Sequence, residues 1–315
     1  MKSAVRKIVR VGGKSYAMTL PKKWVKAFGL SHGDGLYVVA NDDGTLTVVP
    51  LKSARIKQTG PIAHVALPQA VADARSIFKV VLALYSAGLS EVVLGADVPH
   101  DAAQLLQDIA KVEKSSHGVA LLFREPRADI SEVLETMAYK TREVFKLFFE
   151  NIDRQSSEVW KEIHRVENEV DILSHLALRL IIRKLIKESL DRGPESESIA
   201  KGILDALAGR ILEGLTDCVD RSVHRIKELS AISKDYEGLF TKIWKLSDEA
   251  IVCYLHKCPI DEVIQHLNTA SNLRIELKEL MSTSIPPLLP LLSELEVAIT
   301  LLEDLLEVTL TMSYR

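Results

Sequence analysis

Cysteine is scarce: the 315-residue chain holds three, Cys218, Cys253 and Cys258. They form no C-x-x-C pair and no even set for a disulfide framework, so free thiols in a reducing cytoplasm are expected. Long apolar runs are missing too. None reaches the roughly 18 residues a membrane helix needs, and the N-terminus has no continuous apolar core of a signal peptide. Acidic residues are absent from positions 1–33, which carry eight cations: Lys2, Arg6, Lys7, Arg10, Lys14, Lys22, Lys23 and Lys26. A cofactor loop is missing as well. Gly13-Lys14-Ser15 looks like the end of a phosphate-binding loop, but Ile8 stands where that motif needs its first glycine, and no helix pattern follows. With no nucleophile triad either, a binding protein is expected rather than an enzyme.

What is present is an ordinary globular balance, 47% hydrophobic and 26% charged residues. The length suits two or three domains. The net charge of -3 averages over a basic head and an acidic end: residues 285–315 hold five acids against Arg315. A patch of cations without acids points to an anionic partner.

Three segments follow from the patterning. Residues 1–52 read as short strands around one short helix. Strands are expected at Val5–Val11 and Tyr16–Leu20, a helix at Lys22–Phe28 opened by Pro21 and ended by Gly29, and a hairpin of Leu36–Ala40 with Thr45–Val49. So small a segment buries little surface alone, which favours a dimer. Residues 53–126 read as a small α/β connector in the order βαβαβ: Ile62–Leu67, a helix Ala70–Ser86, Glu91–Leu94, a helix Asp101–Glu113, and Gly118–Phe123. Residues 127–315 are expected to be all helical, with six helices separated near 151–153, 193–194, 230–236, Pro259 and Pro286-Pro287. Two sets of three suggest a duplicated three-helix unit, about 127–233 and 234–315.

The second and third of these helices carry matched polar stripes. One holds His164, Glu167, Asp171 and His175; the other holds Glu213, Asp217, Asp220 and His224. Residues three and four apart are neighbours on a helix. Antiparallel packing would therefore bring the carboxylates together. Clustered carboxylates repel one another unless a cation joins them, and carboxylate with imidazole suits iron, zinc or manganese. Isolated acid pairs of this spacing are common on solvated helix faces; the duplication of the stripe is what raises it above them.

Two resemblances attach to these residues. Glu167-Asn-Glu-Val-Asp171 and Leu212-Glu213-Gly-Leu-Thr-Asp217 resemble the repeated E/D-x-x-x-D motif of PhoU-type proteins. In the second repeat Leu302-Glu303-Asp-Leu-Leu-Glu307 retains one motif, while Asn268 and Asn272 have lost the charges of the other. The resemblance implies a transition-metal cluster on Glu167, Asp171, Glu213 and Asp217 and a role in phosphate uptake, and the stripes add Asp220, His164, His175 and His224 as auxiliary ligands. The run from Arg6 through Gly12-Gly13-Lys14 and Leu20-Pro21-Lys22-Lys23-Trp24 to Gly29-Leu-Ser-His-Gly33-Asp34 resembles the AbrB/MazE swapped-hairpin fold. It implies an interlaced homodimer that places Arg6, Lys7, Arg10, Lys14, Lys22 and Lys23 against DNA. The fold expected is thus a swapped-hairpin β domain, a small α/β domain and two three-helix bundles. The function expected is a cytoplasmic, metal-binding regulator of phosphate uptake that binds DNA. The alternative is an adaptor that restrains a phosphate transporter, with the head serving only to dimerise.

Overall fold

The computed structural model describes residues 6–11, 15–27, 29–40, 46–50, 62–65, 74–95, 98–107, 109–115, 118–124, 126–154, 156–191, 196–227, 229 and 236–314. They fall into two compact units, 1–60 and 61–315.

In the first unit β1 (Val9–Val11) pairs antiparallel with β2 (Ser15–Ala17), and β3 (Leu36–Ala40) with β4 (Leu46–Pro50). Between the hairpins lies α1 (Lys22–Ala27), whose first turn is closed by the Val25 N–H on the Pro21 carbonyl. Gly29, at φ +59°, turns the chain out of α1, and Asp34 accepts a hydrogen bond from the Ser31 N–H at 2.7 Å. The second strand is shorter than the expected 16–20, and Met18 to Leu20 lead into the helix unpaired. No residue of this unit whose side chain is described is buried. Ile8, Val9, Val11, Tyr16 and Val38 all lie more than half exposed.

The second unit begins with a sheet. Strands β5 (Ile62–Val65), β6 (Glu91–Leu94), β7 (Ala110–Ser115) and β8 (Gly118–Phe123) are ordered β5-β6-β8-β7, with β5 parallel to β6 and the remaining pairs antiparallel. Helix α2 (Ala74–Ser86) forms the crossover between the parallel pair, and α3 (His100–Leu106) precedes β7. The expected helix over 101–113 is therefore corrected: it stops at Leu106, and 110–115 is an edge strand. Lys111, Val112, Glu113 and Lys114 are exposed. Such a run contributes no apolar helix face, and the free edge of β8 offers it a complete ladder of hydrogen bonds. Gly118, at φ +129°, makes the turn between β7 and β8. A Cβ there would stand 2.0 Å from the Leu94 carbonyl oxygen, so no other residue fits.

The remaining chain is helical: α4 (Ile130–Asn151), α5 (Ser157–Asp191), α6 (Ser196–Ile226), α7 (Glu237–His256), α8 (Ile260–Thr283) and α9 (Leu289–Ser313), the last preceded by a 3-10 turn at Pro286–Leu288. A capping box of Asp129 and Glu132 starts α4. Helices α4, α5 and α6 pack as one bundle and α7, α8 and α9 as another; α6 against α9 and α4 against α7 join the two. One continuous core runs through both, from Met137, Phe148 and Val166 to Ile243, Leu291 and Leu302. No helix among the described residues is long and apolar enough to cross a membrane.

The sheet layer is docked on α5. Arg179 is fully buried and donates to the carbonyls of Tyr85 (2.8 Å) and Leu89 (2.6 Å), with its guanidinium over the Tyr85 and Phe123 rings. A buried cation survives because hydrogen bonds and ring faces replace its water.

The expectation of three free thiols is also corrected. Cys253 and Cys258 form a disulfide across the end of α7, with Cα atoms 4.7 Å apart, and Cys218 is free and buried. Their spacing spans a helix C-cap. Lys257 takes a left-handed conformation there and folds the chain back over the last turn, which brings two residues five apart into bonding range.

Candidate functional site

Helices α5 and α6 are joined by a short connection and pack antiparallel, with residue 164 beside 220 and residue 171 toward 213 and 217. Each stripe stands at the edge of an apolar face. Val166 and Val170 bury on α5, and Ile211, Leu215 and Val219 bury on α6. That burial fixes the rotation of both helices, so the acids between these residues are half withdrawn from water.

The electrostatics show convergence. Burial first, and then the charges of Asp220, Asp217, Asp171 and Glu213, push the Glu167 carboxyl up to about 7. Glu213 is raised by burial and by Asp217 and Asp171, against the pull of Arg210. Asp217 is raised by burial and by Asp171, against Arg221. Glu167, Glu213 and Asp217 thus each feel acids of the facing helix.

The histidines close the two ends. His164 Nδ1 lies 3.3 Å from Asp220 and 3.7 Å from Glu167, and His224 Nε2 lies 3.7 Å from the other Asp220 oxygen. His175 Nε2 lies 3.5 Å from Asp171, and burial lowers its pKa, which favours the neutral ring. Carboxylate oxygens and imidazole nitrogens together fit a divalent or trivalent transition metal. Two arginines that the stripe reading did not include are attached to the cluster. Arg210 pairs with Glu213 at 3.2 Å, and Arg221 pairs with Asp217 at 3.3 Å and with Glu294 of α9 at 2.9 Å. Both were visible in the sequence as i–3 and i+4 neighbours of the acids. In this arrangement the acids are gathered but open. Among the described residues, three ligand atoms within 4.8 Å of one another occur at Cys253, Cys258 and Glu262 instead.

The second repeat holds its charge differently. Glu303 is nearly buried and takes Arg274 of α8 at 2.7 Å and the Ser271 hydroxyl at 3.0 Å, while Glu307, Asn268 and Asn272 are exposed. A guanidinium from the chain stands where a second cation would be needed.

In the first unit Arg6, Lys7, Arg10, Lys22 and Lys23 are all exposed, on and before β1 and in the first turn of α1. Lys14 lies outside the described residues. The arrangement is a two-hairpin module with one short helix and a basic surface.

Residues 9–56 match the family described as "Antidote-toxin recognition MazE, bacterial antitoxin". The N-terminal segment is thus an AbrB/MazE-like domain, and a large helical part follows it. No curated protein matches the chain.

Proposed function

We propose that this chain is a DNA-binding transcriptional regulator whose helical part binds a transition metal and couples gene control to phosphate supply. The observation that carries the first half is the family match over 9–56, which falls on the exposed basic hairpin and α1. Two copies of the head cover the apolar surface that one copy leaves in water, and their joined basic face neutralises backbone phosphates.

The metal half rests on Glu167, Asp171, Glu213, Asp217 and Asp220. Their mutual repulsion in a half-buried groove is relieved by a cation, with iron or zinc first and manganese next. His175, His164 and His224 are auxiliary ligands in this reading. The phosphate assignment follows from the PhoU-like motifs at 167–171 and 213–217. Capture of chromosomal DNA bound to the full-length protein, in cells grown with high and low phosphate, tests the whole reading. Enrichment of discrete promoters that changes with phosphate is expected; no enrichment in either condition would refute it.

An adaptor acting on a phosphate transporter is the second reading, and one observation favours a protein partner. Ile199, Ile203 and Leu207 form an exposed apolar stripe on α6.

A further inference from the structure

Four residues lie inside the loop closed by Cys253 and Cys258, and three of them, Tyr254, Leu255 and Lys257, form one wall of a cavity of about 580 Å³. Lys184, Lys201 and Leu204 are on its other sides. Lys257 has φ +52°, and it is the non-glycine residue of left-handed backbone among the described residues. Its N–H and that of Cys258 both reach the Cys253 carbonyl. A residue with a Cβ adopts that conformation at a cost, so the turn depends on whatever over-determines it. The disulfide and the two N–H contacts do so here. Cys253 is fully buried and Cys258 only partly, so one sulfur is approachable and the other is not.

We propose that Cys253–Cys258 is a thiol–disulfide exchange site for low-molecular-weight thiols, and that its redox state sets the shape of the cavity wall formed by Tyr254, Leu255 and Lys257. An incoming thiolate attacks Cys258 Sγ and the S–S bond breaks. The electron pair leaves on Cys253 Sγ, which takes a proton. A second thiolate then attacks the external sulfur of the mixed disulfide and releases Cys258 as a thiol. Two small thiols are oxidised to one disulfide, and the protein pair is reduced to two thiols. The Glu262 carboxylate lies within 4.8 Å of both sulfurs and disfavours a second negative charge beside it, so the pair is released protonated. Without the cross-link the left-handed turn at Lys257 relaxes, and Tyr254 and Lys257 shift with it. This inference does not depend on the DNA or metal readings.

The test equilibrates the full-length chain in stepped ratios of reduced to oxidised glutathione, then alkylates and maps each cysteine by mass spectrometry. Cys253 and Cys258 are expected to titrate together, while Cys218 stays unmodified until denaturant is added. In the reduced state, amide exchange over 254–258 and acylation of Lys201 and Lys184 are expected to rise several-fold. Cys258→Ser should match the reduced wild type. Lys257→Gly, which takes the left-handed turn without penalty, should narrow the difference between the two states. A pair that stays bonded at every ratio, a pair that alkylates without reductant, or identical exchange and acylation in both states would each overturn the proposal.

Discussion

Ser86 Oγ on α2 lies 2.6 Å from Nδ1 of His175 on α5. The same hydroxyl donates to the Leu82 carbonyl at 3.0 Å, so it accepts from the imidazole, and Nδ1 carries the proton in this assignment. The Nε2 lone pair then faces Asp171 at 3.5 Å, an arrangement that calls for a cation between them. A residue of the α/β layer thereby orients a side chain of the acidic groove. Ser86→Ala should lower metal affinity about 10-fold or more, by the usual weight of a hydrogen bond behind a ligating histidine, with helical content unchanged. Competition with a chelator of known affinity measures this, and unchanged affinity removes His175 from the ligand set.

The double substitution Asp171→Ala with Asp217→Ala should abolish metal binding and leave the bundle folded. Helix stability here comes from apolar burial, and both acids sit at the edge of that face. Elemental analysis after chelation and reloading compares the variant with the wild type. Equal metal content in the two would show the stripes to be solvated helix faces.

Glu167 makes the metal-free protein pH-sensitive. Its folded pKa, about 7, stands above its ordinary value of 4.5, so the folded state holds the proton more tightly than the unfolded chain does. Its contribution is full below the unfolded pKa and is lost as pH rises toward 7. Chelated protein should lose on the order of 1–3 kcal/mol from this cause between pH 4.5 and 7.5. Saturating metal, or Glu167→Gln, should flatten that slope in denaturant titrations followed by circular dichroism.

Arg10→Ala and Lys22→Ala should each weaken DNA binding and lower the slope of log affinity against log salt by about 0.9, as one phosphate contact is lost. Titration of labelled duplex at several salt concentrations gives both quantities. If Arg6, Lys7, Arg10, Lys22 and Lys23 can each be replaced without effect, the basic surface is not the DNA contact.

Arg179→Leu leaves the Leu89 carbonyl without this donor, leaves the Tyr85 carbonyl with the Gly88 N–H alone, and removes the guanidinium from two aromatic faces. A loss of about 2–4 kcal/mol is expected, concentrated in the α/β layer. Amide exchange should rise in α2 and β6 before it rises in α6 or α9. A uniform change across the second unit would show that the layer and the bundles unfold as one.

Periodicity alone marked out the six long helices, because each buries one face and the 3.6-residue repeat of Val, Leu and Ile records that face directly. Proline and glycine positions likewise marked the turns at Pro21 and Gly29, since backbone preference is a property of the residue itself. The order of strands was legible only in part. Residues 110–115 carry no apolar helix stripe to lose, and it is the free edge of β8, a partner that exists only once the sheet has formed, that makes them a strand. The acids of the groove were legible as stripes on two helices. Their shared electrostatics, the reach of Arg221 to Glu294 and the pairing of Arg274 with Glu303 depend on how α5, α6, α8 and α9 are rotated against one another. The same holds for Cys253 and Cys258. Nothing in a five-residue spacing requires a bond, and the left-handed turn at Lys257 is what brings the two sulfurs together.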